Sequence, residues 1–170
     1  LAPATSSAYQ SRFPDDPLMP TGRTNSNLKI TNGQIVQGDG SYMHSHGIYL
    51  VGGTNAEVSY IDSTVHGVQS NNIQTKEAAS GQDIHHNTLC SNSKYTPSRD
   101  SLPITTIRME EGGGNNDIHD NTILCSKQAA IYDSTQGSDI YGNYINYTGF
   151  FTNGFAILNP GHYSKIHDNV

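Results

Sequence analysis

A short motif that returns four times limits the possible folds of this chain more than any other feature of the sequence. The copies are DIHHNTLC at 83–90, DIHDNTILC at 117–125, DIYGNYI at 139–145 and KIHDN at 165–169. Their isoleucines are Ile84, Ile118, Ile140 and Ile166, at spacings of 34, 22 and 26 residues. One copy alone resembles a metal site, with its acids, histidine, amide and thiol. Four copies indicate repeated architecture, in which like residues stack on like.

Each copy also has an asparagine three positions after its isoleucine, which indicates a turn at the same place in every repeat. Upstream, ITNGQI at 30–35 has Gly33 in the asparagine slot, whereas VSYIDSTV at 58–65 has Ile61 there and fits poorly. Glycine and asparagine tolerate a left-handed backbone better than other residues do. We therefore predict one tight turn per repeat at the asparagine slot.

A second set of apolar positions lies between these motifs, in segments such as HGIYLVGG and AAIYDSTQG. We expect its inward residues to be Ile48, Val68, Ile107, Ile131 and Ile157. Each repeat then contains two or three strands of about 3 to 5 residues, separated by Gly, Asn and Ser turns. No segment keeps apolar residues at helical spacing over three turns, so the sequence predicts an all-β protein.

The DIHDNTI and DIYGNYI motifs and the GIYL and AIYD segments resemble the parallel β-helix repeats of pectate-lyase-like proteins. The resemblance covers roughly residues 28–170 and implies a right-handed parallel β-helix of about five to six coils of 22–34 residues. Residues 1–27 would be a Pro/Ser-rich extension or partial cap. In such a fold the turn asparagines Asn87, Asn121, Asn143 and Asn169 would stack into a ladder whose side-chain amides bond one another along the axis. The resemblance implies no single activity, because lyases, hydrolases, epimerases, adhesins and phage spikes share this fold.

In such a fold the residue after each motif isoleucine points outward, which places His85, His119, Tyr141 and His167 in one row. Histidines about 5 Å apart can bind a metal. However, Tyr141 interrupts the row, and we expect no carboxylate to repeat beside it. We therefore interpret the row as a solvated strand face and predict no metal site.

The two cysteines lie on successive copies of the motif but at different distances from the asparagine. Cys90 is three residues past Asn87, whereas Cys125 is four residues past Asn121. The one-residue offset puts the thiols out of register unless a β-bulge corrects it. A disulfide and two free thiols are both compatible with the sequence.

The outward residues of the second set form the surface across which long sugar chains commonly lie in this fold. The carbohydrate-facing candidates are Tyr49, Gln69, Arg108 and Tyr132. Tyrosine rings can stack on sugars, and arginine can pair with a uronate carboxylate. A lyase also needs a base and a cation, either calcium or arginine, and the candidates are Arg108, Glu110 and Glu111. The alternative interpretation of these three residues is a surface ion pair.

The charge of the chain excludes two classes of partner. The formal net charge is -6, and no basic patch is visible. Because nucleic acids and anionic membranes attract basic patches, we expect neither as a partner. No run of about 18 apolar residues is present, so we predict no membrane span. The sequon NYT at Asn146 is a candidate N-glycosylation site and favours an extracellular or cell-surface location.

The last residues, KIHDNV, stop in the middle of a coil without a segment that would cap it. An open β-helix end exposes unpaired backbone and apolar side chains, so we expect further coils or other copies of the chain to cover it. Two hypotheses on function remain open. One is an extracellular structural or adhesive module that stacks end to end and touches glycans. The other is a fragment of a polysaccharide lyase, epimerase or hydrolase that acts on uronate-containing polymers.

Overall fold

The structure is a computed structural model that describes residues 26–37, 46–66, 71–76, 79–91, 105–110, 113–146 and 154–170. The strands in these ranges are β1 (Lys29–Gln37), β2 (Ile48–Val51), β3 (Glu57–Val65), β4 (Ile73–Lys76), β5 (Asp83–His85), β6 (Thr88–Ser91), β7 (Thr105–Met109), β8 (Asp117–His119), β9 (Thr122–Cys125), β10 (Ala129–Asp133), β11 (Asp139–Tyr141), β12 (Tyr144–Ile145), β13 (Phe155–Leu158) and β14 (Lys165–His167). No helix occurs in the same ranges, and hence none that could cross a membrane. The predicted extension at 1–27 lies outside them except for its last two residues.

The strands form two sheets in which every described pair is parallel. The nine-stranded sheet contains β1, β3, β5, β6, β8, β9, β11, β12 and β14, and the five-stranded sheet contains β2, β4, β7, β10 and β13. Each pairing joins one turn of the chain to the next, so the protein is a parallel β-solenoid, as predicted. It has about four turns rather than five to six.

The motif isoleucines form the centre of the core. Val58, Ile84, Ile118 and Ile140 are aligned in register on successive strands and are fully buried. Val58 belongs to the segment that fits the motif poorly, yet this segment is a true copy. Its Ile61 occupies the asparagine slot and is buried, and the Ile61 backbone N–H donates to Asn87 Oδ1 over 2.9 Å.

The second set of inward positions is confirmed at four of its five members, with one replacement. The aligned residues in the five-stranded sheet are Ile48, Ile73, Ile107, Ile131 and Ile157. Val68, which we expected in the second place, lies outside the described residues, and Ile73 fills that slot. The physical reason is that β4 begins five residues later than the segment HGVQSNN led us to expect, so the inward position moves from Val68 to Ile73.

The tight turn is one residue earlier than predicted. The left-handed residues, with φ between 51° and 64°, are Asn32, Tyr60, His86, Asp120, Gly142 and Asp168, each of which directly precedes the asparagine slot. The asparagines themselves are absent from the positive-φ residues and point inward instead. Their side chains are therefore available to bond along the solenoid axis.

The predicted asparagine ladder is present. Asn87 Nδ2 donates to Asn121 Oδ1, Asn121 Nδ2 to Asn143 Oδ1, and Asn143 Nδ2 to Asn169 Oδ1, each over 2.9 Å. Each of these oxygens also accepts the backbone N–H of the preceding ladder asparagine. The bonds among Asn87, Asn121 and Asn143 are buried, where such bonds are strong, and those to Asn169 are partly buried.

The two cysteines form a disulfide, because a bulge corrects their offset. Leu89 is aligned with Ile123 but Cys90 with Cys125, so the register shifts by one residue after Leu89. The extra residue is Leu124, which is exposed. The Cα atoms of Cys90 and Cys125 are 4.6 Å apart, within the range that disulfides occupy. The disulfide therefore staples two consecutive turns together.

Candidate functional site

Two outward surfaces of the solenoid have side chains that could bind a ligand or take part in a reaction. We name the first the tyrosine–arginine face: Tyr49 on β2, Gln74 on β4, Arg108 on β7 and Tyr132 on β10, aligned in one row. Gln69, the sequence-based candidate for the second position, lies outside the described residues, and Gln74 occupies the place. The guanidinium carbon of Arg108 is 5.7 Å from the centre of the Tyr132 ring, which is cation–π distance.

The cation and base candidates on this face, Arg108 and Glu110, are bonded to each other. Arg108 Nη2 donates to Glu110 Oε1, and Gln74 Nε2 donates to Glu110 Oε2 over 3.0 Å. The side chains are nearly inaccessible, since Arg108 is 8% and Glu110 is 6% exposed. Glu111 lies outside the described residues. The structure thus brings Arg108 and Glu110 together as an ion pair, with both carboxylate oxygens of Glu110 engaged.

The second surface, the histidine face, consists of His85, His119, Tyr141 and His167. Successive rings are 5.0, 4.8 and 5.3 Å apart between centroids and lie within 6° of parallel. Tyr141 therefore continues the row of rings that we expected it to interrupt. Rings at such a short spacing support one another and have little freedom to rotate.

Carboxylates do repeat beside this row, contrary to our expectation. Asp83, Asp117 and Asp139 are aligned on β5, β8 and β11, one position before the rings. The cause is the parallel register, which places the first residue of every DI motif in one column. Partial burial, together with the charges of Asp83 and Asp139, raises the pKa of the Asp117 carboxyl above its ordinary value.

Replacement of Asp117 by Asn should stabilise the protein at neutral pH by about 0.5 kcal/mol, because it removes like-charge repulsion on an exposed strand face. A raised carboxyl pKa in the folded state means that stability falls as the pH rises through that pKa. The gain in urea midpoint should therefore shrink towards about pH 3, where Asp117 is protonated. Asp139→Asn is the matched control, since it removes a partner of His167 and should give no gain. Equal gains in both variants would contradict the assignment.

Two of the histidines lie between carboxylates of two turns. His119 Nε2 is 3.1 Å from Asp83 Oδ1, and His119 Nδ1 is 2.9 Å from Asp120 Oδ2. His167 repeats this arrangement, with Asp139 Oδ1 at 3.0 Å and Asp168 Oδ2 at 2.8 Å. The hydrogen bond to Asp168 raises the pKa of His167, and the hydrogen bond from His119 lowers the pKa of Asp120. The first contact thus favours the charged form of His167, and the second favours the charged form of Asp120.

The sequence-based candidates did not include His86, which is the left-handed residue between β5 and β6. A potential ligand atom of His86, one of His119 and one of Asp120 lie within 4.8 Å of one another. The signal that could have found His86 is the column before the asparagine slot, where His86, Asp120, Gly142 and Asp168 follow one another. We predicted the turn one residue later, at the asparagine slot, and gave this column no role.

The sequon asparagine, Asn146, has an exposed side chain after β12. Glycosylation there stays a prediction.

Comparisons of this chain with protein-family models, with curated proteins and with solved structures found no match.

Proposed function

We propose that this protein is an extracellular structural or adhesive β-solenoid module whose tyrosine–arginine face contacts polysaccharide. The observation that carries the proposal is the engagement of Arg108, Glu110 and Gln74 with one another. A lyase would need Glu110 or an equivalent base free to take a proton from the sugar. Here Glu110 is buried and accepts two hydrogen bonds, so it is not free to act as that base. The rings of Tyr49, which is exposed, and Tyr132, which is partly exposed, remain for contact with a sugar chain.

The disulfide supports the extracellular part of the proposal. Disulfides persist in oxidising compartments and are rare where thiols are kept reduced. Cys90 and Cys125 are both consumed in the bond, and it joins two turns of the rod. The exposed side chain of Asn146, in a sequon, fits a secreted protein too. The repeats and the solenoid fold support kinship with the pectate-lyase-like superfamily.

End-to-end stacking is the second part of the proposal. Ile166 stands in the same column as Ile118 and Ile140, which are fully buried, yet it is 49% exposed on β14. Among the described residues β14 pairs only with β11, so a further parallel strand over β14 would bury Ile166 and pair its other backbone edge, as strand addition does at sheet edges. We propose that a further coil supplies that strand, either from another copy of the chain or from a longer solenoid.

Binding to a uronate polymer, without its cleavage, tests the proposed function. Loss of one stacking ring costs about 1 kcal/mol, so Tyr132→Ala should weaken co-sedimentation with the polymer about fivefold. Tyr49→Ala should act in the same way. Tyr144→Ala is the matched control, because Tyr144 has similar exposure to Tyr49, 49% against 41%, but lies in the other sheet. No unsaturated product should form.

Two results would contradict the proposal. Equal effects of the Tyr49 and Tyr144 variants on binding would show that the tyrosine–arginine face is not the binding surface. An increase in absorbance from unsaturated sugars that disappears in a folded Arg108→Ala variant would show that the protein is an enzyme.

A further inference from the structure

We propose that His86, His119 and Asp120 form a surface site for a divalent first-row transition metal such as Zn²⁺. The three side chains come from two consecutive turns of the solenoid, and each provides one ligand atom within 4.8 Å of the other two. Two imidazoles and one carboxylate suit zinc, copper or nickel better than they suit calcium or magnesium, which prefer oxygen ligands alone. The proposal is independent of glycan binding, since the site lies on the nine-stranded sheet.

The backbone fixes two of the three ligands in neighbouring places. His86 and Asp120 are both left-handed turn residues, with φ of 53° and 51°, in the same column of adjacent turns. Residues other than glycine adopt this conformation at a cost of about 1 kcal/mol, so it holds only where the surrounding structure determines it. Bonds of about 2.0–2.2 Å to a metal require the ligand atoms to approach by about 1 Å. His86 and Asp120 are exposed, so their side chains have room for this movement.

The third ligand, His119, is already oriented as in known metal sites. Its Nε2 faces Asp83 Oδ1 at 3.1 Å, which leaves Nδ1 to face Asp120 and the proposed metal. Metal-binding histidines typically donate their other N–H to a carboxylate in this way. The His119 ring also lies between His85 and Tyr141, at 5.0 and 4.8 Å, so it cannot turn freely.

His85 completes the surroundings of the site. Its Nδ1 is 2.8 Å from Nδ1 of His86, so the two rings share a hydrogen bond. This bond orients the His86 ring beside His119, whose ring centre is 6.1 Å from that of His86. The fourth position of a tetrahedral metal would remain open to water, as in metal sites with three protein ligands.

The chain contains its own comparison for this site. Asp139, His167 and Asp168 repeat the arrangement of Asp83, His119 and Asp120 two turns further on, with almost the same distances. In that copy Gly142 stands where His86 stands in the first, so the second imidazole is missing. One imidazole and one carboxylate form a much weaker site. The metal should therefore bind once per chain and at the first copy.

Titration calorimetry of the untagged full chain with Zn²⁺ tests the proposal. We expect one equivalent of metal per chain. His86→Gly should weaken binding at least about tenfold, and Asp83→Asn, which removes the partner of His119, should weaken it by about tenfold as well. His86→Gly copies the natural Gly142 turn and relieves the left-handed strain, so it should fold. His167→Ala is the matched control and should bind as the unchanged protein does.

A spectroscopic measurement makes the result independent of heat signals. Co²⁺ in place of Zn²⁺ should give a visible absorption band that the His86→Gly variant lacks and the His167→Ala variant keeps. Absence of stoichiometric binding in the unchanged protein would overturn the proposal. So would binding that survives His86→Gly undiminished, or that is lost equally in His167→Ala.

Discussion

Reduction of the disulfide between Cys90 and Cys125 should lower the free energy of unfolding by about 4 kcal/mol. The two residues are 35 positions apart in sequence. In the chain-entropy model a loop of this length restricts the unfolded chain by that amount, because the cross-link removes conformations that only the unfolded state would have. Urea unfolding with and without a reductant measures the difference directly. The sheets should survive reduction, since the pairing of β6 with β9 does not depend on the bond.

The double variant Cys90→Ala/Cys125→Ala is the control for this prediction. It should unfold at about the same urea concentration as the reduced protein and show no response to the reductant. An unfolding midpoint that does not change on reduction of the unchanged protein would show that the disulfide is absent. It would also contradict the assignment of the bulge at Leu124 as the feature that aligns the two cysteines. The slope of the unfolding curve should rise when the bond is absent, because the unfolded chain is then less compact and exposes more surface.

The core of this fold is readable from the sequence because stacking repeats the same environment at every turn. Ile84, Ile118 and Ile140 lie in one column because each turn has an equivalent buried position, stacked directly on that of the neighbouring turn. The same reason makes the asparagine ladder predictable. An amide in the slot has one neighbour above and one below of its own kind, and both its oxygen and its nitrogen find partners there.

The parts that sequence reasoning missed are those where the spacing between repeats changes. The slot assigned to Val68 is filled by Ile73, since an insertion shifts the strand without altering the apolar pattern around it. The bulge between Leu89 and Cys90 is of the same kind. The repeat length alone does not show at which position extra residues are inserted between the paired strands. That position depends on which turn or bulge of the solenoid can hold the extra residues.

The candidate site was predictable only in part. Arg108 and Glu110 lie two residues apart, in β7 and directly after it. Residues at this spacing in extended backbone point to the same side, so their neighbourhood was predictable. The ion pair of Arg108 with Glu110 was the alternative interpretation of the sequence, although the pair is buried and not on the surface. The further bond from Gln74, a residue 36 positions from Glu110, is indicated by no local pattern. The histidine row was predictable from the motif. The carboxylates beside it form a column only because the parallel register aligns the first residues of the motifs, Asp83, Asp117 and Asp139.

Replacement of Asn121 by Ala should cost about 4 kcal/mol of stability, one of the two largest effects we expect. Asn121 Oδ1 accepts the backbone N–H and the side-chain amide of Asn87, and its Nδ2 donates to the Ile84 carbonyl and to Asn143. Alanine removes all four bonds. It leaves the Asn87 N–H and the Ile84 carbonyl without these partners in a buried place, and each such group costs about 1–3 kcal/mol.

Asn169→Ala is the matched comparison for this variant. Asn169 occupies the same slot and makes the same kind of bonds to Asn143 and Ile140, but it is only partly buried in this chain. Water can replace a lost partner there, so the cost should be about 1 kcal/mol.

The difference in urea unfolding free energy between Asn121→Ala and Asn169→Ala tests most directly whether the turns are held together by stacked, buried asparagines. We predict that the Asn121 variant is less stable than the Asn169 variant by about 3 kcal/mol. Equal losses, or a loss below about 1 kcal/mol at Asn121, would contradict the stacking of like residues on successive turns.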